Sequence, residues 1–460
     1  MTQKGDPSIS SIVLSEVIAQ KRIDSEYFQP EFLEVATQLR GADHKRLEDL
    51  GTIVTSAFYP AATDLYEHGD VPFIRGVDVI TYPVITNDQP FERIPLSFIR
   101  ESKGIQELYS GDIVITKVGT PCYAGILHKN LKHCALSRTV LGLKDIDTEV
   151  VDPYYLVVFL RCRYGFFQLM REREQQIQLQ LTLDRVGRIN VFLPEKAVQV
   201  EIGNILREYH QQTALSQDLY RQAEQLLLDE LELSDLDRSV DLFGEASVFD
   251  TFCASRIDSD FFEPKYDKLL EHLYNLGTQP LGDMARLRQE KFSAQIGVNF
   301  NYIEISDVDL SNGLCHASEI PGEEAPDRAQ QIVRASDIVV STVRPHRGGI
   351  ALIHPKQDGF VCSSGFAVLE PLSVSAEYLL VYLRLKPIRE LLNRSNRASM
   401  YPAVTASDVL NLPIIVSDDN EMTVRGLIQE SHQAYSRGLE LLEQAKRKVE
   451  AMIESEAMHG

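Results

Sequence analysis

Two loops shaped by glycine and proline carry the side chains best suited to chemistry with a polyanion. In the second half of the chain, Arg344, His346 and Arg347 stand in the run RPHRGG, directly after a predicted strand. In the first half, Lys117 occupies the corresponding place in the run KVGTP. Guanidinium and ammonium groups suit phosphate contact, and arginine can also donate two hydrogen bonds to one guanine in the major groove. The two loops therefore predict contact with nucleic acid.

A wider set of aromatic and basic residues would extend this contact, although a single surface cation is more often only solvated. The candidates of the first half are Tyr59, Arg75 and Arg138, and those of the second half are Arg288, Lys291, Arg394, Asn396 and Arg397. Residues that read different sequences must themselves differ, so this wider set rests on residue type alone.

The sequence carries no recognisable catalytic or metal signature. A methyltransferase would need an Asn/Asp-Pro-Pro-aromatic loop, and the run 152–155 (DPYY) lacks the second proline; it predicts a helix start instead. No phosphate-binding G-x-x-x-x-G-K-[ST] loop and no G-x-S-x-G motif occurs. His128, His133 and Cys134, with Cys122 nearby, fit no zinc-finger spacing. We therefore predict no catalytic residues and no bound metal.

The charge balance restricts the kind of partner. The 460 residues carry 67 acidic and 46 basic side chains, a formal net charge of −21 that argues against general polyanion binding. Basic residues concentrated in one groove would still allow specific binding of nucleic acid. Six scattered cysteines without a C-x-x-C pair, no membrane-length apolar run and no signal pattern in MTQKGDPSIS predict a reduced, cytoplasmic location.

The sequence segments that would form the elements positioning these loops occur twice along the chain. RIDSEYFQP (22–30) returns as RIDSDFFEP (256–264), at an offset of 256 − 22 = 234. DIVITKVG (112–119) returns as DIVVSTVR (337–344), and YYLVVFLR (154–161) as EYLLVYLR (377–384). By His210 and His432 the offset has fallen to 222, so the framework repeats while the loops between the blocks differ. Two copies with divergent loops predict two sites that perform the same operation on two different targets.

Each copy combines short Val-, Ile- and Tyr-rich strands with helices and closes with a long helix, which predicts an α+β fold. Apolar and small residues in the long helices recur at a 3.5-residue period, the pattern of a coiled-coil seam. The seam positions expected to matter for spacing and partner docking are Ile202, Ile205, Tyr209, Leu219, Leu427, Ala434, Gly438 and Leu441. We predict that the two helices pair with each other as an antiparallel coiled coil; the alternative is that each packs only on its own domain.

These features predict five segments in chain order. They are a first recognition domain (1–195), a central helix (196–232), a linker (233–249), a second recognition domain (250–417) and a C-terminal helix (418–456).

The doubled plan resembles the DNA specificity subunit of type I restriction–modification systems. The resemblance rests on the paired blocks FIRGVDV and YIEISDV, GDIVITKVG and SDIVVSTVR, and YYLVVFLR and EYLLVYLR, each set followed by INVFLP or LNLPIIV and a long helix. It implies two target-recognition domains that each read a short half-site of a bipartite, asymmetric target, with helices that set the gap. It also implies two methyltransferase subunits and restriction-motor subunits as partners. S-adenosylmethionine, ATP and Mg²⁺ would then be bound by those partners, and this chain would bind no cofactor.

The sequence departs from the family at two loops, Pro121-Cys122-Tyr123 and RPHRGG, and other functions stay open. A related phage-defence system could use the same subunit. A tandem protein-binding adaptor or an acidic DNA mimic are further alternatives, although a mimic predicts no basic loops. A self-contained methyltransferase or nuclease would need a cofactor motif that is not present.

Overall fold

The structure, a computed structural model, describes residues 12, 17–18, 22–57, 66, 69–119, 122–174, 180–234, 236, 245–397 and 402–459. The chain forms two compact units. The first takes its residues from 1–212 and 437–460, and the second from 213–436. The first unit therefore draws on segments from both ends of the sequence.

The first unit consists of short strands and helices. Its helices are α1 (Pro30–Arg40), α2 (Gly76–Thr81), α3 (Leu96–Glu101), α4 (Pro153–Arg161), α5 (Arg163–Arg171) and α6 (Leu183–Gly187), followed by the long α7 (Lys196–Glu230), which continues into the second unit. Its strands are β1 (His44–Arg46), β2 (Thr52–Thr55), β3 (Val71–Ile74), β4 (Val84–Ile85), β5 (Arg93–Ile94), β6 (Glu107–Tyr109), β7 (Ile113–Thr116), β8 (Ala124–Leu127), β9 (His133–Leu136), β10 (Val140–Lys144) and β11 (Asn190–Phe192).

The second unit repeats this composition. Its helices are α8 (Val248–Ala254), α9 (Pro264–Asn275), α10 (Ala376–Arg384), α11 (Lys386–Arg394) and α12 (Ala406–Leu410), followed by the long α13 (Asp418–His459), which ends in the first unit. Its strands are β12 (Gln279–Pro280), β13 (Ala285–Leu287), β14 (Asn299–Ile303), β15 (Ser318–Pro321), β16 (Ala329–Ile332), β17 (Ile338–Ser341), β18 (Ile350–Leu352), β19 (Val361–Ser363), β20 (Phe366–Pro371) and β21 (Pro413–Ile414).

The strand order is the same in both units, except that β4 of the first unit has no counterpart in the second. One sheet of the first unit runs β2-β10-β7-β8-β4, and its counterpart in the second runs β13-β20-β17-β18. The other sheet runs β5-β3-β9-β6 in the first unit and β15-β14-β19-β16 in the second. In each of these second sheets the middle pair is parallel, with Phe73 opposite Ala135 and Tyr302 opposite Val361. The α+β class and the repeat predicted from the sequence are thus visible in the sheets.

Equivalent local interactions explain why the repeated blocks fold alike. Asp152 caps α4 by accepting hydrogen bonds from the backbone N–H groups of Tyr154 (2.9 Å) and Tyr155 (3.0 Å), and Pro153 takes the first helical position. This confirms the helix start predicted there in place of a catalytic loop. The buried Tyr155 hydroxyl donates to the carbonyl oxygen of Phe192 at 2.7 Å. Its repeat partner Tyr378 donates to the carbonyl oxygen of Ile415 at the same distance.

The two long helices pair in antiparallel direction within each unit. In the first unit, Lys448 of α13 forms an ion pair with Glu201 of α7. In the second unit, Ser431 of α13 contacts Ser216 of α7, and Ser417 donates to Glu230 at 2.7 Å. As the residue numbers increase along α7, those of the contacting residues at and before α13 decrease. These contacts confirm that the two helices pair with each other in antiparallel direction.

The seam of α7 matches the predicted seam at one set of alternate positions and only partly at the other set. Ile202, Tyr209, Ser216 and Ala223 are buried as expected. Between these residues, the buried side chains include Leu206, Tyr220 and Leu227. Each of them lies one residue later than a predicted seam position. Ile205 is only partly buried, while Leu219 is buried beside Tyr220. In α13 the predicted Ala434, Gly438 and Leu441 are buried, and Ile428 takes the place expected for the partly buried Leu427.

This burial corrects one part of the expected role of the seam. Side chains that are buried inside their own unit, such as Ile202, Tyr209 and Leu441, cannot contact another protein. The buried seam residues hold α7 and α13 together, and partner docking on these helices stays a prediction.

Candidate nucleic-acid interface

The loop after β17 has a hydrogen-bonded backbone and exposes a histidine and an arginine side chain. Arg344 has a left-handed backbone (φ 50°), and its N–H donates to the carbonyl oxygen of Pro402 at 2.7 Å. Residues Pro345–Arg347 form a single 3₁₀ turn, in which the side chains of His346 and Arg347 are exposed. Arg389 donates to the carbonyl oxygen of His346 at 3.2 Å. The loop is thus fixed from its inner side and open to a ligand on its outer side.

A left-handed backbone conformation marks the same point of this loop in both units. The residue equivalent to Arg344 (the last of DIVVSTVR) is Gly119 (the last of DIVITKVG), which has φ 86°. A non-glycine residue in the left-handed region costs about 1 kcal/mol or more, so Arg344 occupies a position that glycine fills at lower cost. Strain retained at one residue of an exposed loop is typical of a functional position.

The corresponding loop of the first unit carries Lys117, whose charge is influenced by that of Arg138. Lys117 follows β7, its N–H donates to the carbonyl oxygen of Thr139 at 2.9 Å, and its Nζ lies 3.4 Å from the Thr55 hydroxyl. Burial and the positive charge of nearby Arg138 lower the pKa of Lys117. An anion placed between the two side chains would relieve this repulsion, which suits a phosphate. Thr120 and Pro121 of this loop lie outside the described residues.

Two arginines that the sequence offered as DNA contacts are held inside the fold. Arg288 donates to both carboxylate oxygens of the buried Asp337, at 2.5 and 2.8 Å, and to Glu290 at 3.0 Å. Arg394 donates to the carbonyl oxygen of Phe261 and to the Asp267 carboxylate, both at 2.9 Å. Breaking such pairs would leave buried charges without partners. We therefore give Arg288 and Arg394 structural roles in place of the DNA contacts expected from the sequence.

The remaining candidates differ in how accessible they are. Arg75 is partly buried and pairs with Asp78 and Glu92, so it could reach DNA only by giving up these ion pairs. Arg397 is 66% exposed with a long contact of 3.5 Å to Asp408, and Lys291 is exposed. Tyr59 lies outside the described residues. Lys291 and Arg397 stay predictions.

A second pair of arginines, equivalent in the two repeats, was not identified from the sequence. Arg161, at the end of α4, is partly buried and donates to the backbone carbonyl oxygens of Ala124 and Val79, each at 2.5 Å. Arg384, at the end of α10, donates to those of Ile350 (3.1 Å) and Leu310 (2.5 Å). Burial lowers the pKa of Arg161 to about 10. The sequence signal for this pair is the arginine at the last position of both YYLVVFLR and EYLLVYLR. Its hydrogen bonds connect the helix to a neighbouring strand.

A histidine contact joins the residue after β8 to α7 within the first unit. The ring centroids of His128 and His210 lie 4.6 Å apart. Burial, with the neighbouring His128, lowers the pKa of His210 to about 4. In the second unit His432 is buried on α13, and its Nε2 lies 3.1 Å from the carbonyl oxygen of Asn312. Burial lowers the pKa of His432 as well.

Across the part of the chain that the structure describes, no three His, Cys, Asp or Glu side chains converge as a metal site would require. Within the same residues, no helix has the length and apolar character needed to cross a membrane.

A segment that runs from the end of α1 through most of α7 matches a known family. Residues 40–225 fit the model of the type I restriction modification DNA specificity domain. The HindI type I restriction enzyme specificity subunit of Haemophilus influenzae is 27% identical over 142 residues, which are 30% of this chain and 31% of that protein. The chain thus aligns with about a third of the length of the curated relative it matches.

Solved structures with the same description are also similar. The HsdS subunit of Thermoanaerobacter tengcongensis is 30% identical and covers 32% of this chain and 40% of its own, with a TM-score of 0.29. The type I restriction-modification S subunit of M. genitalium is 12% identical and covers 90% and 95% of the two chains, with a TM-score of 0.41.

Residues 40–225 thus resemble a DNA specificity domain of the type I restriction–modification class. The resemblance to specificity subunits that the repeated blocks indicated is thereby confirmed.

Proposed function

We propose that the whole chain is the non-catalytic DNA-recognition subunit of a type I restriction–modification system. The observation that carries the proposal is the recurrence of one fold beside divergent loops. Residues 40–225 fit the model of a specificity domain, and the second unit repeats the strand order of the first apart from β4. Two such units would read two unlike half-sites, which makes the target bipartite and asymmetric. Work on cellular DNA would place the protein in the cytoplasm.

Each unit would contact its half-site through the loop that follows β7 or β17. In the second unit, Arg347 and His346 are exposed on a loop whose backbone is pinned, and Arg344 is strained at its base. In the first unit, Lys117 and the nearby Arg138 would contact a backbone phosphate. The arginines would supply base readout in the major groove, where a bidentate contact to guanine is worth about 1–3 kcal/mol.

The antiparallel helices would fix the gap between the half-sites. Reading by one unit alone gives limited discrimination, because each wrong base pair costs only about 1–3 kcal/mol. Joining two readers makes the second contact effectively intramolecular and adds a test of spacing. The net charge of −21 would then suppress binding to random DNA.

Chemistry would belong to partner subunits. In this proposal two methyltransferase subunits and restriction-motor subunits dock on the chain, and they bind S-adenosylmethionine, ATP and Mg²⁺. The chain itself would bind no cofactor and would recognise its target weakly without those partners.

Mapping methylated adenines in cells with and without this gene tests the proposal. We expect one bipartite motif to lose methylation when the gene is deleted. Replacing residues 250–417 with those of a relative should exchange one half of the motif and leave the other half and the gap unchanged. A methylation pattern that is identical with and without the gene would contradict the proposal.

A further inference from the structure

A tightly held tripeptide recurs at the start of both units. Arg22 donates to both carboxylate oxygens of Asp24, at 2.7 and 2.8 Å. Arg256 does the same to Asp258, at 2.8 and 2.6 Å. A bidentate pair two residues apart fixes the direction of the residue between its partners. In both units that residue is an isoleucine.

This isoleucine is exposed in both units. Ile23 is 90% exposed and Ile257 is 91% exposed. Burying an isoleucine is worth roughly 1.5–3 kcal/mol, so the fold gains little from holding one in water. Ile18 and its repeat equivalent Phe252 are also exposed, and Val248 and Phe249 extend the exposed apolar surface of α8. Exposed apolar clusters of this kind mark surfaces that bind another protein.

Matching aromatic contacts anchor the tripeptide to each unit. The guanidinium groups of Arg22 and Arg171 stack on the ring of Tyr27, at 4.5 and 4.1 Å from its centroid. Those of Arg256 and Arg394 stack on Phe261, at 4.6 and 4.5 Å. Arg171 also donates to the carbonyl oxygen of Tyr27 at 3.0 Å, as Arg394 does to that of Phe261. The contacts that anchor the tripeptide are therefore alike in the two units, although their candidate DNA-contacting loops differ.

A groove lies beside the anchor in each unit. The groove of the second unit has a volume of about 730 Å³ and includes Ile257 in its lining. The groove of the first unit has a volume of about 470 Å³. Equivalent positions line both: Tyr27 and Phe261, Arg171 and Arg394, and Ile189 and Leu412.

The charge of both grooves is opposite to that of the chain. The first groove is lined by four arginines and three carboxylates, and the second by three arginines and two carboxylates. Each groove thus has a net charge of +1 in a chain whose net charge is −21. A segment that enters either groove is favoured if it carries a carboxylate.

We propose that Ile23 and Ile257, each with its adjoining groove, form two equivalent docking surfaces for one partner protein bound in two copies. The partner presents an apolar pocket for the isoleucine and an acidic segment for the groove. A feature kept identical between units that read different DNA must bind something that is the same on both sides. The inference rests on the proposed function, in which two copies of one methyltransferase subunit dock on the chain.

The test uses the full chain co-purified with the methyltransferase subunit encoded beside it. Native mass spectrometry should find two copies of that subunit on the unmodified chain, one on Ile23→Asp or Ile257→Asp, and none on the double variant. Calorimetric titration should show that each altered surface binds at least about tenfold more weakly, as for loss of an interface hot spot. Ile23→Leu and Ile257→Leu, which keep the apolar surface, should retain two copies.

Ile296→Asp is the matched control, since Ile296 is 89% exposed in the second unit but does not belong to the repeated tripeptide. It should retain two copies. All variants should keep the thermal unfolding midpoint of the unmodified chain, because these side chains lie in water.

Two copies on the double variant, with unchanged affinity, would overturn the docking surfaces and leave the proposed function standing. No copies on the unmodified chain would overturn both. Self-association of the chain that the double variant abolishes would also overturn the proposal, because the surfaces would then join two copies of this chain.

Discussion

Ser216 of α7 and Ser431 of α13 meet in the buried seam of the second unit, with their hydroxyl oxygens 3.1 Å apart. The Ser431 hydroxyl also lies 2.8 Å from the backbone carbonyl oxygen of Ser216 and donates to it. Ser431 is thus both a donor to the backbone and the acceptor for the Ser216 hydroxyl. A reciprocal polar contact between two helices fixes their register at one point, as a buried polar residue does in a coiled coil.

Ser431→Ala should destabilise the chain more than Ser216→Ala. Removing Ser431 leaves the Ser216 hydroxyl buried without an acceptor, which costs about 1–3 kcal/mol, whereas removing Ser216 leaves the bond from Ser431 to the backbone intact. Urea unfolding followed by circular dichroism measures the difference. The exposed Ser436→Ala on the same helix is the control and should change the free energy of unfolding by less than about 0.5 kcal/mol. Equal losses for both seam variants would contradict the assignment of donor and acceptor.

Arg347→Ala should weaken DNA binding through one half-site only. A lost bidentate base contact costs about 1–3 kcal/mol, or roughly tenfold or more in affinity, and relaxes the choice of base at one position. Loss of a phosphate contact would instead weaken all sequences alike and reduce the salt slope by about 1. Fluorescence anisotropy of the assembled complex over a range of salt concentrations separates the two.

Arg425→Ala, on the exposed face of α13, is the control for this measurement and should leave binding unchanged. If Arg347→Ala also binds normally, the loop after β17 does not contact DNA.

Lengthening both long helices should widen the gap in the target. Seven residues inserted after Thr213 and seven after Gln433 keep the heptad pattern on both sides of the seam. They add about 10 Å, which corresponds to about three base pairs of duplex DNA. Methylation mapping should then find the two half-sites about three base pairs further apart. A gap that stays the same would rule out the spacer role of the helices, while insertion in α7 alone should simply destabilise the pairing.

Acid should destabilise the first unit through His210. The folded-state pKa of His210 is about 4, below the ordinary value of about 6.5, so the unfolded chain takes up a proton first. Its contribution to stability is therefore complete above about pH 6.5 and is lost as the pH falls towards 4. Nearby His128 adds to this effect, and the carboxylate of Asp88 opposes it.

Urea unfolding at pH 7 and pH 5 measures the dependence on His210. His210→Gln should lose less stability between the two values than the unmodified chain. His316→Gln, at an exposed position of the second unit, should behave like the unmodified chain. An unchanged pH dependence in His210→Gln would show that other groups govern the acid response.

The repeat and the helix start at Asp152 could be predicted from the sequence because both depend on residues close together in the chain. The seam of α7 was predicted only at alternate positions for a related reason. Ile205 and Leu206 are both apolar, as are Leu226 and Leu227, so the pattern alone cannot decide which member of each pair is buried.

The structural role of Arg288 could not be predicted from the sequence. Its partner Asp337 is 49 residues away, and only the pairing of strands brings the two together. Arg394 depends in the same way on Phe261 and Asp267, more than 120 residues earlier. A basic residue on a predicted strand or helix looks the same in the sequence whether it faces DNA or a buried carboxylate.

The antiparallel pairing of α7 with α13 has a consequence for synthesis of the chain. Residues Leu441, Ala445 and Val449 complete the core around Ile202 and Leu206, yet the ribosome makes them more than 230 residues later. The second unit is continuous in the chain and can close while translation continues. The first unit cannot complete its core until the last turns of α13 leave the ribosome. Until then, the apolar face of α7 in this unit stays uncovered. A chain terminated early would therefore carry a ready signal for chaperones and proteases.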